Sequence, residues 1–278
     1  MTAQAHVRYG PRLVAHPTGT LRAAVVVKPT AELESIAPLQ GEPGAIFKRA
    51  AEQHAVLVST LRYFGVAVTV LEPPDRAPYA CAAADLAVCF EHGAAIMRPS
   101  SLDRRAELEL LEAELTKMDV PIGGHIAAPG LLDGTDVFLA ADTVFIGRTK
   151  RSNAVGRSGF AAIARENGYR TVEVGVDDSV RSLRSVVNAV AADTLVIAPN
   201  RVDAAAFSGF KLVAMELGQE LCAGVFPLGE RRVVADLRYG PSFRALQRSN
   251  IAVEAIDLYD FGKVGLVPSS LILPLKRS

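Results

Sequence analysis

The chain has 278 residues, with 30 Lys and Arg against 30 Asp and Glu, five His, three Cys and no Trp. A net charge of zero removes the electrostatic argument for nucleic acid or an anionic membrane surface, and no apolar run approaches the roughly 18 residues that span a bilayer. Half the residues are hydrophobic, which excludes a disordered chain.

In chain order, residues 22–28 (RAAVVVK) form a β-branched run that stops at Pro29, the pattern of a buried strand followed by a turn. Ile46, Ala50, His54, Val58 and Leu61 recur at helical spacing over 44–64, so a helix ending at Gly65 is expected, then a strand through VAVTVL. Residues 85–98 read as a hairpin around His92-Gly93, followed by a charged helix over 103–117. Residues 136–147 read as a second hairpin turning at Ala141-Asp142. A helix near 157–167, capped by Asn167-Gly168, and the strand YRTVEVGV follow. TLVIA (194–198) reads as a strand, and 201–215 as a mixture of helix and turn. Residues 224–236 give another hairpin, with a helix around 241–248 and the strand IAVEAIDL after it. A hairpin–helix–strand unit that recurs without a linker predicts one repeat-built α/β domain over 1–278.

The opening MTAQAHVRYGPRLVAHP lacks the apolar stretch of a secretory signal. Cys81, Cys89 and Cys222 are an odd set without a C-x-x-C. They read as small buried thiols in a reducing cytoplasm. Nucleotide cradles (G-x-G-x-x-G, G-x-x-x-x-G-K-[ST]) and H-E-x-x-H are missing, and Gly156-Arg157-Ser158-Gly159 is one residue short of a G-x-S-x-G elbow. No cofactor and no metal is expected.

Two segments are more specific: LLDGTDVFLAADTVFIGRTKRSNAVG (131–156) and ADLAVCFEHGAAIMRPSSLDRRAELELLEAEL (84–115). They resemble the pentein superfamily of guanidine-modifying proteins, nearest to dimethylarginine dimethylaminohydrolases, with arginine deiminases and amidinotransferases further off. Leu132-Asp133-Gly134-Thr135-Asp136 is similar to the family's L-[DE]-G-G-D, and Thr149-Lys150-Arg151-Ser152-Asn153 to its [ST]-x-R-[TS]-N. Residues 84–89 and Arg98-Pro99 with Arg104-Arg105 match two further family motifs. The resemblance implies a five-bladed α/β propeller of pseudo-repeated ββαβ units around a substrate-sized pocket.

Carried over residue by residue, the resemblance makes Asp85 a substrate-binding carboxylate and Asp133 an acidic neighbour of the nucleophile and base. It makes Arg104 and Arg151 clamps for a ligand carboxylate. Such a set suits a guanidinium with a distal α-carboxylate, since carboxylates accept its planar N–H fork and arginines bind the acid end. Read without the motifs, the same residues are turn carboxylates and solvated charges. The catalytic parts differ from the family. Ser269 stands where the resemblance implies the nucleophilic Cys, Ser182 where it implies the His, Ala84 where it implies a Glu, and Tyr79 in place of a further Asp. A serine hydroxyl needs an adjacent base, and Ser182 is not one. His125, in GGHIAAPG, is a candidate acid/base alongside Asp133, and Cys81 a candidate relocated nucleophile.

The function expected is therefore a catalytically degenerate protein that binds a small guanidino- or amino-acid-type ligand without Cys-dependent amidine hydrolysis. The alternative is a repurposed enzyme of a specialised pathway, acting on such a substrate by non-covalent acid/base chemistry. The expected partner is that small ligand rather than nucleic acid or membrane, and a homodimer or a protein partner of the same pathway stays open.

Overall fold

The computed structural model describes residues 8–278; the expectation of no secretory signal rests partly on residues 1–7, outside the described residues. Among the described residues, no helix is long and apolar enough to cross a membrane.

The first blade begins with β1 (Leu21–Val27), crosses over through α1 (Phe47–Tyr63) and returns as β2 (Ala67–Leu71), parallel to β1. The second holds β3 (Ala87–Cys89), β4 (Ala94–Ile96), α2 (Arg105–Lys117) and β5 (Ile122–His125). The third holds β6 (Val137–Ala140), β7 (Thr143–Arg148), α3 (Ala154–Glu166) and β8 (Arg170–Gly175). The fourth has β9 (Val187–Ala191), β10 (Thr194–Ile197) and β11 (Lys211–Ala214). The fifth has β12 (Phe226–Gly229), β13 (Arg232–Asp236), α4 (Phe243–Arg248) and β14 (Ala252–Ile256). Two short helices, α5 (Tyr259–Gly262) and α6 (Pro268–Leu271), lead to β15 (Leu273–Arg277). β15 pairs antiparallel with β1, so the end of the chain closes the blade that its beginning opens. Every sheet is three-stranded, an antiparallel pair plus one parallel strand. That is the five-bladed ββαβ propeller the resemblance implies.

Four strands depart from the sequence reading, one of them β15, which the sequence reading left out and which forms by pairing with β1. β5 forms from IGGH, a stretch with little strand preference, because its backbone pairs in parallel with β4. β9 lies buried along its length and carries no alternation to announce it. β11 lies in the segment expected to mix helix and turn, and the crossover before it is only a 3-10 turn, Ala204–Phe207. The fourth blade therefore lacks its helix.

The apolar core sits between neighbouring blades rather than at the centre. Phe138 and Phe145 of blade three meet Phe207 of blade four at ring-centroid distances of 6.1 and 5.0 Å. Phe90 stacks on Phe160 at 5.9 Å across blades two and three. Each such pair adds about 0.5–1.5 kcal/mol beyond the apolar area it removes from water. Packing between blades leaves one end of the axis to polar groups. A short helical turn precedes each innermost strand: Ala83–Asp85, Gly134–Asp136, Leu183–Ser185, Glu220–Gly224 and α6. The five turns close into a ring at one end of the axis.

Candidate functional site

The ring turns hold the site. Gly134 permits their close approach: a Cβ there would lie 2.2 Å from the carbonyl oxygen of Ala84, so a side chain would force the first and second turns apart. This contact places Thr135 against Asp85, and the Thr135 hydroxyl donates to Oδ1 of that carboxylate.

Asp85 is fully buried and surrounded by three arginines. Arg104 approaches its Oδ2 at 2.5 Å, Arg181 at 2.6 Å, and Arg151 contacts both oxygens at 3.4 Å. Burial pushes the carboxyl up, but the charges of Arg151, Arg181 and Arg104 outweigh it and hold Asp85 well below the usual range. Arg151 reaches Asp133 at 3.0 Å and Asp136 at 3.7 Å. Asp133 also accepts from the Ser100 amide at 3.0 Å, and Asp136 from the Thr149 hydroxyl at 2.7 Å and the Leu183 amide at 3.1 Å. Burial raises both carboxyls, Asp136 to about 6.

Five residues expected in the site, Asp85, Asp133, Arg104, Arg151 and Tyr79, thus meet in one network. Arg104 plays a different part from the one expected. It binds Glu107 through Nε at 3.0 Å and NH2 at 2.6 Å, and the carbonyls of Tyr79 and Ala82 at 3.1 and 3.2 Å. With another bond to Asp85, most of its donors are committed to the protein, so it braces the site instead of clamping a ligand carboxylate. The structure does not bring His125 into the group. Its ring is half-exposed on β5, an outer strand and not a loop, and lies 3.0 Å from Glu112 of α2.

Two members were not anticipated. Glu107 lies three residues after Arg104, a helical spacing that brings the two side chains together and that the R-R-A-E sequence carried openly. Arg181 directly precedes Ser182 and belongs to none of the motifs. Its guanidinium lies 4.4 Å over the Tyr79 ring while it donates to Asp85. Burial first, then the charge of Arg151, lower its affinity for its proton. The Nε–H groups of Arg151 and Arg181 are buried without an acceptor among the described residues.

At the positions of the expected nucleophile and base, Ser269 donates to the Arg184 carbonyl at 3.0 Å and Ser182 shares a 2.9 Å hydrogen bond with Ser185. Both are fully buried. Ala84 in the neighbouring turn contributes no acid. The Cys81 thiol is pushed up to about 12 by burial, which leaves it without thiolate character near neutral pH.

Comparisons with known proteins agree with this architecture. The family model described as N,N dimethylarginine dimethylhydrolase, eukaryotic, matches residues 34–220. The N(G),N(G)-dimethylarginine dimethylaminohydrolase of Pseudomonas aeruginosa is 25% identical over 218 residues, 78% of this chain and 85% of that protein. Its counterpart from Streptomyces coelicolor is 33% identical over 147 residues, 53% of this chain and 56% of that one. A cysteine-to-serine mutant of the Pseudomonas enzyme, solved with citrulline, superposes with a TM-score of 0.82 at 22% identity, over 91% of this chain and 99% of that one. SxtG, an amidinotransferase from Microseira wollei, gives 0.78 at 13% identity, over 96% and 97%. These two superpositions show the shared fold, and with the match of the family model they lead to one conclusion: the chain belongs to the dimethylarginine dimethylaminohydrolase family.

Proposed function

We propose that this chain is a catalytically silent member of its family that holds a small guanidino- or amino-acid-type ligand at Asp85, with Arg181 as the internal occupant the ligand displaces. One observation carries this reading: the seat already grips a guanidinium. Arg181 is held by a buried carboxylate on one side and an aromatic face on the other, the two features that recognise such a cation. Exchange of one guanidinium for another keeps Asp85 paired throughout, which avoids leaving a buried charge uncompensated. The orphan Nε–H of Arg151, which stays in place when Arg181 yields, supplies a donor for the acid end of a ligand. The Pseudomonas relative was solved with citrulline, a molecule of the proposed class.

Silence is supported by the chemistry of the ring. Hydrolysis by the family's route needs a thiolate and an imidazole, and two serines, hydrogen-bonded to a carbonyl and to a third serine, offer neither. We place this activity in a single domain, since β15 and β1 join the ends of the chain, and in a reducing cytoplasm, consistent with three buried free thiols. The alternative, a repurposed enzyme using acid/base chemistry, draws on one observation, the Asp136 carboxyl at about 6. Both its oxygens are already engaged by Thr149 and Leu183, which favours the binding reading.

Calorimetric titration with arginine, dimethylarginine and citrulline tests the proposal. It predicts saturable binding of at least one of them, weakened in Tyr79→Ala by loss of the aromatic face. Absence of binding by all three, or binding indifferent to Tyr79→Ala, would overturn it.

A further inference from the structure

Beyond the ring, the axis holds a cavity of about 70 Å³, walled by the innermost strand of every blade. One water needs roughly 10–15 Å³, so there is room for several waters or for one ion of a few heavy atoms. Most of the wall is apolar, and no carboxylate belongs to it. Two arginines do. Arg184, from the ring turn Leu183–Ser185, and Arg277, at the end of β15, both line it.

Neither has an acidic partner among the described residues. Arg277 donates to the carbonyls of Gly19 at 2.9 Å and Pro227 at 2.8 Å, and lies 5.2 Å over the Phe226 ring. Arg184 makes no side-chain hydrogen bond, and the one charge that favours it is Asp85, which three nearer guanidiniums already neutralise. Burial lowers Arg184 to about 10, and burial together with the Arg184 charge lowers Arg277 to about 9. Along the whole axis five guanidiniums (Arg104, Arg151, Arg181, Arg184, Arg277) face four carboxyls (Asp85, Glu107, Asp133, Asp136). Arg277 is buried and Arg184 only partly so, and two like charges on one cavity wall, with no carboxylate among the residues that line it, repel each other unless a counter-ion joins them.

We infer that the axial cavity is a binding site for a small oxyanion, a phosphate or a carboxylate, held between the guanidiniums of Arg184 and Arg277. Such an anion restores the balance of the axis and gives Arg184 the planar, two-point partner it lacks. The site is separate from the Asp85 seat and takes a ligand of opposite charge.

Thermal melts in sodium phosphate and in sodium acetate, each compared with sodium chloride at equal ionic strength, test it on wild type and Arg184→Met. In chloride the variant is expected to melt above wild type, because the repulsion between the two guanidiniums is gone. Phosphate, acetate or both should raise the wild-type melting temperature to a plateau, and whichever anion does so identifies the oxyanion group. The variant should show no plateau. A rise that never saturates, or the same plateau in Arg184→Met, overturns the inference. Should the variant fail to fold, phenylglyoxal labelling of the wild type mapped by mass spectrometry decides the matter. Arg184 must be modified in chloride and protected by the stabilising anion, and equal modification in both refutes the site. These probes leave arginine binding at Asp85 unmeasured, so failure here and failure there are distinguishable.

Discussion

Arg181 and Asp85, 96 positions apart in the chain, meet at 2.6 Å, and under the proposed function this pair makes the protein's own guanidinium the occupant of the ligand's seat. An internal occupant competes with any external one. Replacing it by Met keeps much of the stem's volume and removes the competing charge, while Arg104 and Arg151 still neutralise Asp85. Arginine or dimethylarginine should therefore bind Arg181→Met at least about tenfold more tightly, a change of about 1.4 kcal/mol. Calorimetry on the two proteins provides the comparison. Weaker binding to the variant would mean that Arg181 assists the ligand instead of yielding to it.

Asp85→Asn removes the one carboxylate that three guanidiniums share. Breaking a buried ionic group by deleting one partner typically costs about 3–5 kcal/mol, because the remaining charges stay buried. Urea unfolding at neutral pH should show a loss in that range. A change under about 1 kcal/mol would show that Glu107, Asp133 and Asp136 suffice to balance the arginines.

Between pH 4 and 6.5 two buried groups act in opposite senses. Asp136, at about 6, binds its proton more tightly folded than unfolded, where a carboxyl titrates near 3.9. Its contribution is full below about pH 4 and is lost as pH rises through 6, up to about 3 kcal/mol in all. His54 is lowered to about 4, by burial and then by the Lys28 charge. Its contribution is full above about pH 6.5 and is lost as pH falls through 4, again about 3 kcal/mol. Asp133, Glu107 and Asp236, whose carboxyls burial also raises, act in the same sense as Asp136. Relative to wild type, the stability of Asp136→Asn should therefore fall on acidification, and that of His54→Gln should fall as pH rises. Urea midpoints at four pH values separate the two slopes, and parallel profiles for all three proteins would refute both assignments. Asp85, held far below its usual range by Arg151, Arg181 and Arg104, adds its own loss only in more acidic solution.

Cys81, Cys89 and Cys222 are buried and free, and burial pushes each thiol up to about 12. At pH 8 the native protein should react with no equivalent of a thiol reagent, and the unfolded protein with three. Rapid labelling of Cys81 in the native state would revive its candidacy as a relocated nucleophile.

The blades were legible where period and chemistry agreed. The β-branched run of β1, the helical spacing from Ala50 to Leu61 and the turn at Ala141-Asp142 each follow from local preference, and Ala141 indeed has φ +49. β5 was hidden because IGGH becomes a strand only through its partner β4, a tertiary effect that no local preference announces. The motifs delivered Asp85, Asp133, Arg104, Arg151 and Tyr79 to one place. They could not disclose that Arg104 is turned inward by Glu107, nor that Arg181 lies over Tyr79, because ion pairs between distant residues leave no period in a sequence.

The most direct test of the central claim is the chemical state of a bound ligand. Isotopically labelled dimethylarginine, held with stoichiometric protein for many hours and recovered for mass spectrometry, should return unchanged, because no thiolate–imidazole pair exists among the described residues to attack and release its guanidinium carbon. Recovery of labelled citrulline, abolished by Ser269→Ala, would contradict the account and show that the serine of the fifth turn has found a base.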